Sequence, residues 1–345
     1  MFSSSTQSKR WIFLDEQQIS RRRQEANERF IERHLDECRS RESRYDYFLS
    51  PEEERIIYKH YEFALRDFCK KFQPPVPRSV TGTSFHYFKR FYLNNSVMDY
   101  HPKHMLVTCV YLACKVEEFN VSIAQFVNNV RGDREKATDI ILNNELLLMQ
   151  QLEYHLTIHN PYRPLEGLLI DIKTRCPQFP DPEKLRSLMD DFLERTLFTD
   201  AVLLMAPSQI ALTAVLYAAN KAQANSDVYV TDILFAGCSH DKLHHIKDAV
   251  KKLHLMVKAI QVPPKDRVRA AEQKLEKCRN QENNPDSQIY KRKMQEMMED
   301  EHLDGISKYP RLSELETRES IEEAEGRRNP SAEGAKSANG CKQNC

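Results

Sequence analysis

The chain has 345 residues, of which 40% are hydrophobic and 30% charged, enough for two domains of ordinary size with packed interiors. Lysine plus arginine and aspartate plus glutamate number 51 each, so no global electrostatic pull toward nucleic acid or an anionic membrane is expected. With only 8 glycines, a glycine-rich α/β or all-β fold is disfavoured and long helices are expected.

The 9 cysteines are scattered along the chain without a CxxC pair, and with no signal peptide this usage indicates a reducing compartment. Cys109 and Cys114 lie in an apolar helix, where cysteine packs as a small hydrophobe more often than it binds metal. No run of 18 apolar residues occurs, so no membrane span is expected. These features predict a soluble, intracellular protein.

An N-terminal arm and helix are expected over residues 1–50. The helix begins after the N-cap Asp15 and carries a thin apolar stripe that includes Ile19 and Phe30. A helix with so narrow a stripe needs another helix to pack against. The run Arg21–Arg23 alternates with glutamates, and this pattern is typical of a solvated face rather than of a nucleic-acid patch.

Two sets of five helical segments follow, separated by the two prolines of HNPYRP (159–164). The first set occupies residues 51–159, with segments at 51–72, 78–95, 103–117, 122–131 and 133–153. The second set occupies residues 160–262, with segments at 164–175, 182–199, 207–222, 227–236 and 240–260. A charged C-terminal helix is expected over 263–284, and residues 285–345 are expected to be a charged, disordered tail.

The two sets look like copies of one unit. Residues 87–115 align without a gap with residues 192–220, an offset of 105 positions. The identical pairs include Arg90 with Arg195, Val97 with Val202, Pro102 with Pro207, Thr108 with Thr213 and Ala113 with Ala218. In each copy the third helix is apolar nearly all round, which places it at the centre of a bundle. The predicted fold is all-α, with two tandem five-helix repeats flanked by an N-terminal and a C-terminal helix.

One lysine and one glutamate contrast with their apolar surroundings. Lys115 ends the third helix of the first unit, where the helix dipole favours a cation by roughly 0.3–1 kcal/mol. Glu145 in the fifth helix has only apolar same-face neighbours, so it needs an opposite charge nearby, and Lys115 is the candidate. At the 105-residue offset these positions become Asn220 and Val250. A pair needed only for folding should recur in both copies, and its restriction to the first predicts a binding site there.

The chain resembles the cyclin family over about residues 8–280. The segments that carry the resemblance are SKRWIF, PRSVTGTSFHYFKRFYLNNSVMDYHP, ACKVEEFNVS, NNELLLMQQLEYHLTIHNPYRPLEGLLIDIKTR and APSQIALTA. The resemblance implies that the two units are tandem cyclin boxes, with 51–159 as the kinase-binding box. The tail from residue 282 takes no part in it.

The resemblance also implies a site and a mechanism. Cyclins bind a cyclin-dependent kinase through the first box, where a lysine and a glutamate hydrogen-bond main-chain groups just before the kinase C-helix and turn that helix inward. Lys115 and Glu145 match these two residues. The implied surrounding contacts are Val116, Glu118, Phe119, Met149, Tyr154 and Leu156. No catalytic residue, metal ligand or cofactor is implied, so the chain is expected to activate a kinase allosterically and not to be an enzyme.

The partners follow from a likeness to the transcription-associated branch. They are the cyclin-dependent kinase (CDK) catalytic subunit of the CDK-activating kinase (CAK), the CAK assembly factor and the TFIIH core, with residence in the nucleus and no direct contact with nucleic acid or membrane. CAK phosphorylates activation loops of other CDKs and, within TFIIH, the C-terminal domain of RNA polymerase II. Two departures from cell-cycle cyclins fit this branch. EEERIIYKHY replaces their MRAIL-type docking helix, and YFKRF, with Lys89, replaces YIDRF, whose Asp forms an internal ion pair.

Other functions stay open from the residues alone. A cyclin of another transcription kinase would have the same fold and the same charged pair. A TFIIB-like DNA-binding scaffold also uses this duplicated fold, but that branch carries a zinc ribbon and a basic face that are not seen here. A helical enzyme is disfavoured because no HExxH or glycine-rich phosphate loop occurs. The pair His240 and His244 is spaced as zinc ligands can be, although scattered surface histidines explain it more simply.

Overall fold

The computed structural model describes residues 1–35, 44–179 and 181–303, and these residues form helices joined by turns, with no strand among them. In chain order the α-helices are α1 (Thr6–Arg10), α2 (Glu16–Arg33), α3 (Arg44–Tyr47), α4 (Pro51–Lys71), α5 (Arg78–Asn94), α6 (Pro102–Val116), α7 (Ile123–Val127), α8 (Arg134–Gln151), α9 (Tyr162–Arg175), α10 (Arg186–Thr196), α11 (Pro207–Lys221), α12 (His240–Lys258), α13 (Lys265–Cys278) and α14 (Gln288–Leu303). Short 3₁₀ helices lie at Phe2–Ser4, Pro182–Leu185, Asp200–Leu203 and Gln281–Asn283, and a π-helical turn lies at Tyr229–Leu234. The all-α prediction is confirmed.

The first five-helix unit consists of α4 to α8 and is built around α6. Every residue from Met105 to Cys114 is buried, and α6 packs against α4, α5 and α8. A helix that is apolar all round is stable only where neighbours cover it on every side. Cys109 and Cys114 are unbridged and buried in this core, where they fill space as predicted.

The second unit repeats the arrangement with α9, α10, α11, the π-helical turn and α12. Its central helix α11 packs against α9, α10 and α12 and is buried from Ile210 to Val215. The starts of α6 and α11 differ by the predicted 105 positions. Both helices end in a left-handed residue, with φ of 57° at Glu118 and 55° at Gln223. In each, the N–H of the following residue donates at 2.9 Å to a carbonyl one turn back, a Schellman motif that extends the repeat to the helix cap.

Two predicted helices of the second unit take another form. The helix expected over 182–199 is a 3₁₀ turn followed by α10. It stops early because the Thr199 hydroxyl accepts the N–H of Ala201 and so begins the next 3₁₀ turn. The helix expected over 227–236 is the π-helical turn. A hydroxyl cap such as that of Thr199 leaves no trace in the apolar period, so the sequence pattern did not separate α10 from the 3₁₀ turn after it.

The N-terminal segment joins the two units. Asp15 caps α2 as predicted, since its carboxylate accepts the N–H of Gln18 at 2.8 Å. Along the buried stripe of α2, Ile19 belongs to the core of the second unit and Phe30 to the core of the first. Trp11, which precedes the helix, is buried in the second core as well. This segment therefore packs across both repeats.

The expectation that Arg21–Arg23 forms a solvated face is wrong for Arg23. Its guanidinium donates to both carboxylate oxygens of Asp200, at 2.8 and 2.9 Å. Asp200 starts a 3₁₀ turn of the second unit, far from Arg23 in the chain, whereas the pattern weighed only the glutamates nearby in sequence. Burial raises the pKa of Asp200, but the charge and hydrogen bonds of Arg23 outweigh burial and leave that pKa well below its usual range.

Four more contacts complete a buried cluster of charges between the units. Lys89 of α5 contacts Glu62 of α4, and both side chains are fully buried. Lys59 Nζ lies 2.6 Å from Glu62 Oε2 and donates to the carbonyl of Phe198 at 2.8 Å. Lys89 Nζ is also 3.7 Å from Asp200 Oδ1. Lys89 thus forms an internal ion pair in which α5 supplies the cation. In the YIDRF sequence named above, the same helix supplies the anion.

The C-terminal helix α13 packs against α4. Tyr61 on α4 donates its hydroxyl to Glu272 of α13 at 3.2 Å. The face of EEERIIYKHY that carries Tyr61 is therefore covered from within the chain. After α13 the chain stays attached to the first unit, because Asn280 and Asn283 both donate to Asp99.

The prediction of a disordered tail over 285–345 is wrong for its first part, where α14 is helical. The amide of Asn143 on α8 donates to the Tyr290 hydroxyl of α14 at 3.1 Å. The apolar residues of α14 are less concentrated on one face than those of α2 and α13, so its period is too weak to be recognised from sequence alone. The rest of the predicted tail, 304–345, lies outside the described residues. None of the described helices has the length and hydropathy needed to cross a bilayer.

Glu62→Gln should lower the free energy of unfolding by about 3–5 kcal/mol, because it leaves the buried Lys89 ammonium without its main counter-charge. Lys89→Met should cost less in the Glu62→Gln background than in the native chain. Urea unfolding of the two single variants and the double variant measures this coupling. Asp67→Asn, which breaks the exposed 2.7 Å pair with Arg66, is the control and should cost less than about 1 kcal/mol. Equal small losses in all variants would contradict a structural role for the cluster.

Glu54 should make stability depend on pH. Burial raises the pKa of its carboxyl to about 7, against hydrogen bonds from Ser96 and Asn27. The folded state therefore holds this proton more tightly than the unfolded state does. The stabilisation is complete below about pH 4.5 and is lost as the pH rises to about 7, a change of roughly 3 kcal/mol.

Glu54→Gln imitates the protonated carboxyl and should remove this dependence. Buried histidines with lowered pKa, such as His86 and His101, change the stability of both proteins over the same pH range, so the difference between variant and native chain is the quantity to follow. Between about pH 4.5 and 7.5 that difference should shift by roughly 3 kcal/mol in favour of the variant. A difference independent of pH would show that Glu54 titrates as an ordinary carboxyl.

Candidate functional site

Lys115 and Glu145, predicted as partners from their apolar surroundings, meet in the structure. Lys115 Nζ lies 3.1 Å from Glu145 Oε2. The ammonium also lies 4.6 Å from the ring centroid of Tyr111, one turn earlier on α6. The Lys115 side chain is 34% exposed and that of Glu145 10%. The pair is therefore open to solvent on the lysine side, unlike the closed Lys89 and Glu62 contact.

The turn after α6 aims Lys115 outward. Glu117 faces inward, where its carboxylate accepts the Thr83 hydroxyl of α5 at 2.5 Å. The left-handed Glu118 then reverses the chain, so that Phe119 packs back on the core of the first unit. Val116 is half-buried beside it. The predicted contacts Val116, Glu118 and Phe119 thus belong to one capped turn around Lys115.

The turn after α8 has the same construction. The N–H of Tyr154 donates to the carbonyl of Met149 at 2.9 Å, and φ is positive at Glu153 and Tyr154. This geometry leaves the Tyr154 ring 58% exposed, while Met149 and Leu156 are half-buried. The predicted contacts on this side therefore form an apolar edge around Glu145.

One apolar residue at this edge was not among the predicted contacts. Leu146 is 54% exposed and follows Glu145 directly. It lies four positions after Leu142 and three before Met149, so the three share the outer face of α8. Ile141 on the inner face is fully buried. Apolar residues occur on both faces of α8, although packing against the core requires only one apolar face. This surplus was the signal from which an exposed apolar residue such as Leu146 could have been predicted.

The segment between the two units is held by α5. Tyr87 donates its hydroxyl to the carbonyl of Leu156 at 2.6 Å, and Arg90 donates to the carbonyl of His155 at 3.0 Å. Asn160 lies so close to Gly82 that a Cβ there would overlap its side chain. Only glycine fits at this close approach. The backbone that presents Tyr154 and Leu156 is thereby fixed relative to the core.

The equivalent surface of the second unit lacks the charged pair. Asn220 is exposed at the position of Lys115, and Val250 is half-buried at the position of Glu145. Lys221 lies 5.8 Å from the ring centroid of Tyr217, so a cation beside an aromatic ring is present there without the carboxylate. The first unit therefore combines a cation with a carboxylate, a pair that the second unit does not have at the corresponding place.

One of the two histidines considered above as zinc ligands lies beside a carboxylate in the structure. His244 Nδ1 lies 2.8 Å from Asp248 Oδ2, and both side chains are exposed. Cys238 is exposed as well. Within the described part of the chain, no group of three His, Cys, Asp or Glu side chains is placed to hold a metal ion.

Comparison with known proteins places both units in one family. The family described as cyclin, N-terminal domain, matches residues 29–157, and the family described as cyclin C-terminal domain matches residues 160–258. Cyclin-H of Xenopus laevis is 47% identical over 285 residues, which cover 82% of this chain and 88% of that protein.

Solved structures share the fold. A chain in the CAK complex from Chaetomium thermophilum has a TM-score of 0.71 at 23% identity, covering 87% of this chain and 94% of that chain. A chain in the yeast TFIIK (Kin28/Ccl1/Tfb3) complex has a TM-score of 0.56 at 22% identity, covering 74% and 99% respectively. At these identities the matches establish the fold alone.

Breaking the Lys115 and Glu145 pair should not unfold the chain. Lys115 stays hydrated without its partner, so Glu145→Ala should change the free energy of unfolding by less than about 1 kcal/mol. Lys115→Ala leaves the largely buried Glu145 carboxylate without its counter-charge and should cost more, about 1–3 kcal/mol. Urea denaturation followed by circular dichroism measures the change. If either variant unfolds, the pair is a structural one and the functional assignment fails.

Proposed function

The chain belongs to the cyclin family, and from this premise we propose that it is the regulatory subunit of a CDK-activating kinase. It binds a cyclin-dependent kinase through the first cyclin box and favours the active conformation of that kinase. The observation that carries the proposal is the Lys115 and Glu145 pair, open to solvent on its lysine side, set in an apolar edge on the first box and missing from the second. The relative at 47% identity, Cyclin-H of Xenopus laevis, supports the assignment to this branch.

The geometry suits recognition of a helix end. A lysine donates to main-chain carbonyls and a glutamate accepts main-chain N–H groups, so the pair matches the two kinds of free group on an exposed peptide. Leu146, Met149 and Tyr154 beside them offer apolar surface to an amphipathic helix. Contacts that exist only with the helix turned inward shift the kinase toward its active state.

The surrounding assembly follows from the same proposal. The complex phosphorylates the activation loops of other cyclin-dependent kinases and, within TFIIH, the C-terminal domain of RNA polymerase II. The partners are then the kinase subunit, the CAK assembly factor and the TFIIH core, in the nucleus. The fold match to chains of the CAK and TFIIK complexes supports this reading. Catalysis belongs to the kinase subunit, and this chain contributes no reacting group.

The test is a pull-down of the chain from cell extract, with bound proteins identified by mass, followed by affinity measurement with the recovered kinase. The Lys115→Ala/Glu145→Ala double variant should weaken kinase binding by about 1–3 kcal/mol, because it removes hydrogen bonds to main-chain groups desolvated in the interface. Lys221→Ala is the matched control, since it removes a cation beside an aromatic ring at the corresponding helix end of the second box. That control should bind the kinase normally.

The identity of the recovered proteins separates the alternatives. A cyclin-dependent kinase with TFIIH subunits supports the proposal in full. A different transcription kinase would retain the mechanism and assign the chain to another complex. Promoter DNA or basal transcription factors without a kinase would refute kinase activation and favour a TFIIB-like scaffold.

A further inference from the structure

The N-terminal arm, residues 1–13, contacts the chain between the two boxes. We call residues 154–159 the docking turn, because Tyr154 and Leu156 within it are proposed kinase contacts. Gln7 of the arm is buried and makes two hydrogen bonds to the backbone of His159. Its Oε1 accepts the N–H at 2.6 Å, and its Nε2 donates to the carbonyl at 3.3 Å. One side chain thus satisfies both backbone groups at the end of the docking turn.

Trp11 makes the second attachment. Its indole Nε1–H donates to His155 Nδ1 at 3.1 Å, which assigns the histidine proton to Nε2. The same indole ring covers the guanidinium of Arg90, 4.8 Å from the ring centroid, and Arg90 in turn donates to the His155 carbonyl. The arm therefore contacts the docking turn at both ends, directly through His155 and His159 and indirectly through Arg90.

The arm is anchored independently at its other end. The N–H of Phe13 donates to the carbonyl of Leu203 in the second box at 2.8 Å. Trp11 and Phe13 are both buried in the core of that box. The arm therefore connects the docking turn of the first box to the core of the second box.

The arm also covers Arg90, whose burial is energetically unfavourable. Arg90 is fully buried, and within the described residues its Nε and Nη2 have no hydrogen-bond partner. Burial lowers the pKa of Arg90 to about 9. The Trp11 ring lies over this guanidinium in place of water, so the contact with the arm offsets part of the lost hydration.

We propose that the N-terminal arm is a clamp whose contacts with His155 and His159, together with those of α5, hold the docking turn in position and are coupled to kinase binding. The inference rests on the proposed function, since it assumes that the docking turn contacts the kinase. Because coupling is reciprocal, a clamp that improves kinase binding must itself be stabilised when the kinase binds. Gln7, Trp11 and His155 are then positioning residues that act through the turn.

The experiment uses a matched pair at one position. His155→Ala removes the acceptor for the indole N–H, whereas His155→Asn supplies an amide oxygen close to the place of Nδ1. Amide hydrogen exchange of the free full chain is followed by mass spectrometry in residues 1–13 and 154–160. His155→Ala should raise exchange in both segments by roughly two- to tenfold, as expected for the loss of one hydrogen bond, and His155→Asn should restore it. Gln7→Ala should act like His155→Ala, and Gln17→Ala, at an exposed position of α2, should not.

Kinase affinity is then measured for the same proteins. The affinity should fall in His155→Ala and Gln7→Ala, by a factor no larger than the rise in their exchange rates. It should return to the native value in His155→Asn. Exchange that is unchanged in His155→Ala, or equally raised in His155→Asn, would overturn the clamp. Raised exchange with unchanged affinity would overturn its coupling to the kinase. The Lys115→Ala/Glu145→Ala variant tests the proposed function separately, since it should lose affinity while exchange in the arm stays at the native rate.

Discussion

The buried charges around Lys89 and Glu62 constrain how the two boxes meet, because Lys89 and Lys59 also contact the second box. Lys89 and Glu62 are both fully buried and would be strongly destabilising alone. They are compensated only where α2 supplies Arg23, α4 supplies Lys59 and the second box supplies Asp200. Such a cluster need not add more stability than apolar residues of the same volume would. We infer that it instead selects one way of joining the boxes, because displaced arrangements leave a charge unpaired.

Because the junction between the boxes is fixed, the docking turn can hold a defined position although it is not part of a helix. The turn lies where the chain passes from one box to the other, and its backbone groups are held by Tyr87 and Arg90 of α5. The same helix carries Lys89 in the buried cluster. The elements that set the junction therefore also set the surface beside Glu145, so the position of Tyr154 depends on charges that never reach that surface.

Sequence reasoning succeeded where one local pattern decided the structure. The all-apolar α6 had to be central, and Glu145 among apolar neighbours needed a cation, which proved to be Lys115. It failed where the partner lay far along the chain, as with Arg23 and Asp200. It also missed Leu146, although the leucines of α8 are more numerous than a one-sided core stripe requires. Distances between segments remote in sequence are set by packing, and no periodicity records them.

The chain contains two lysine and glutamate pairs of the same chemistry with opposite consequences. Between Lys89 and Glu62 all surface is closed, so their hydrogen-bonding capacity is used inside the protein and no partner can reach it. Lys115 keeps a third of its side chain in water, and Glu145 has one oxygen within reach of it. The remaining capacity of that pair can turn to a main-chain group at little cost in folding energy. Exposure, rather than residue type or pairing, separates the structural pair from the functional candidate.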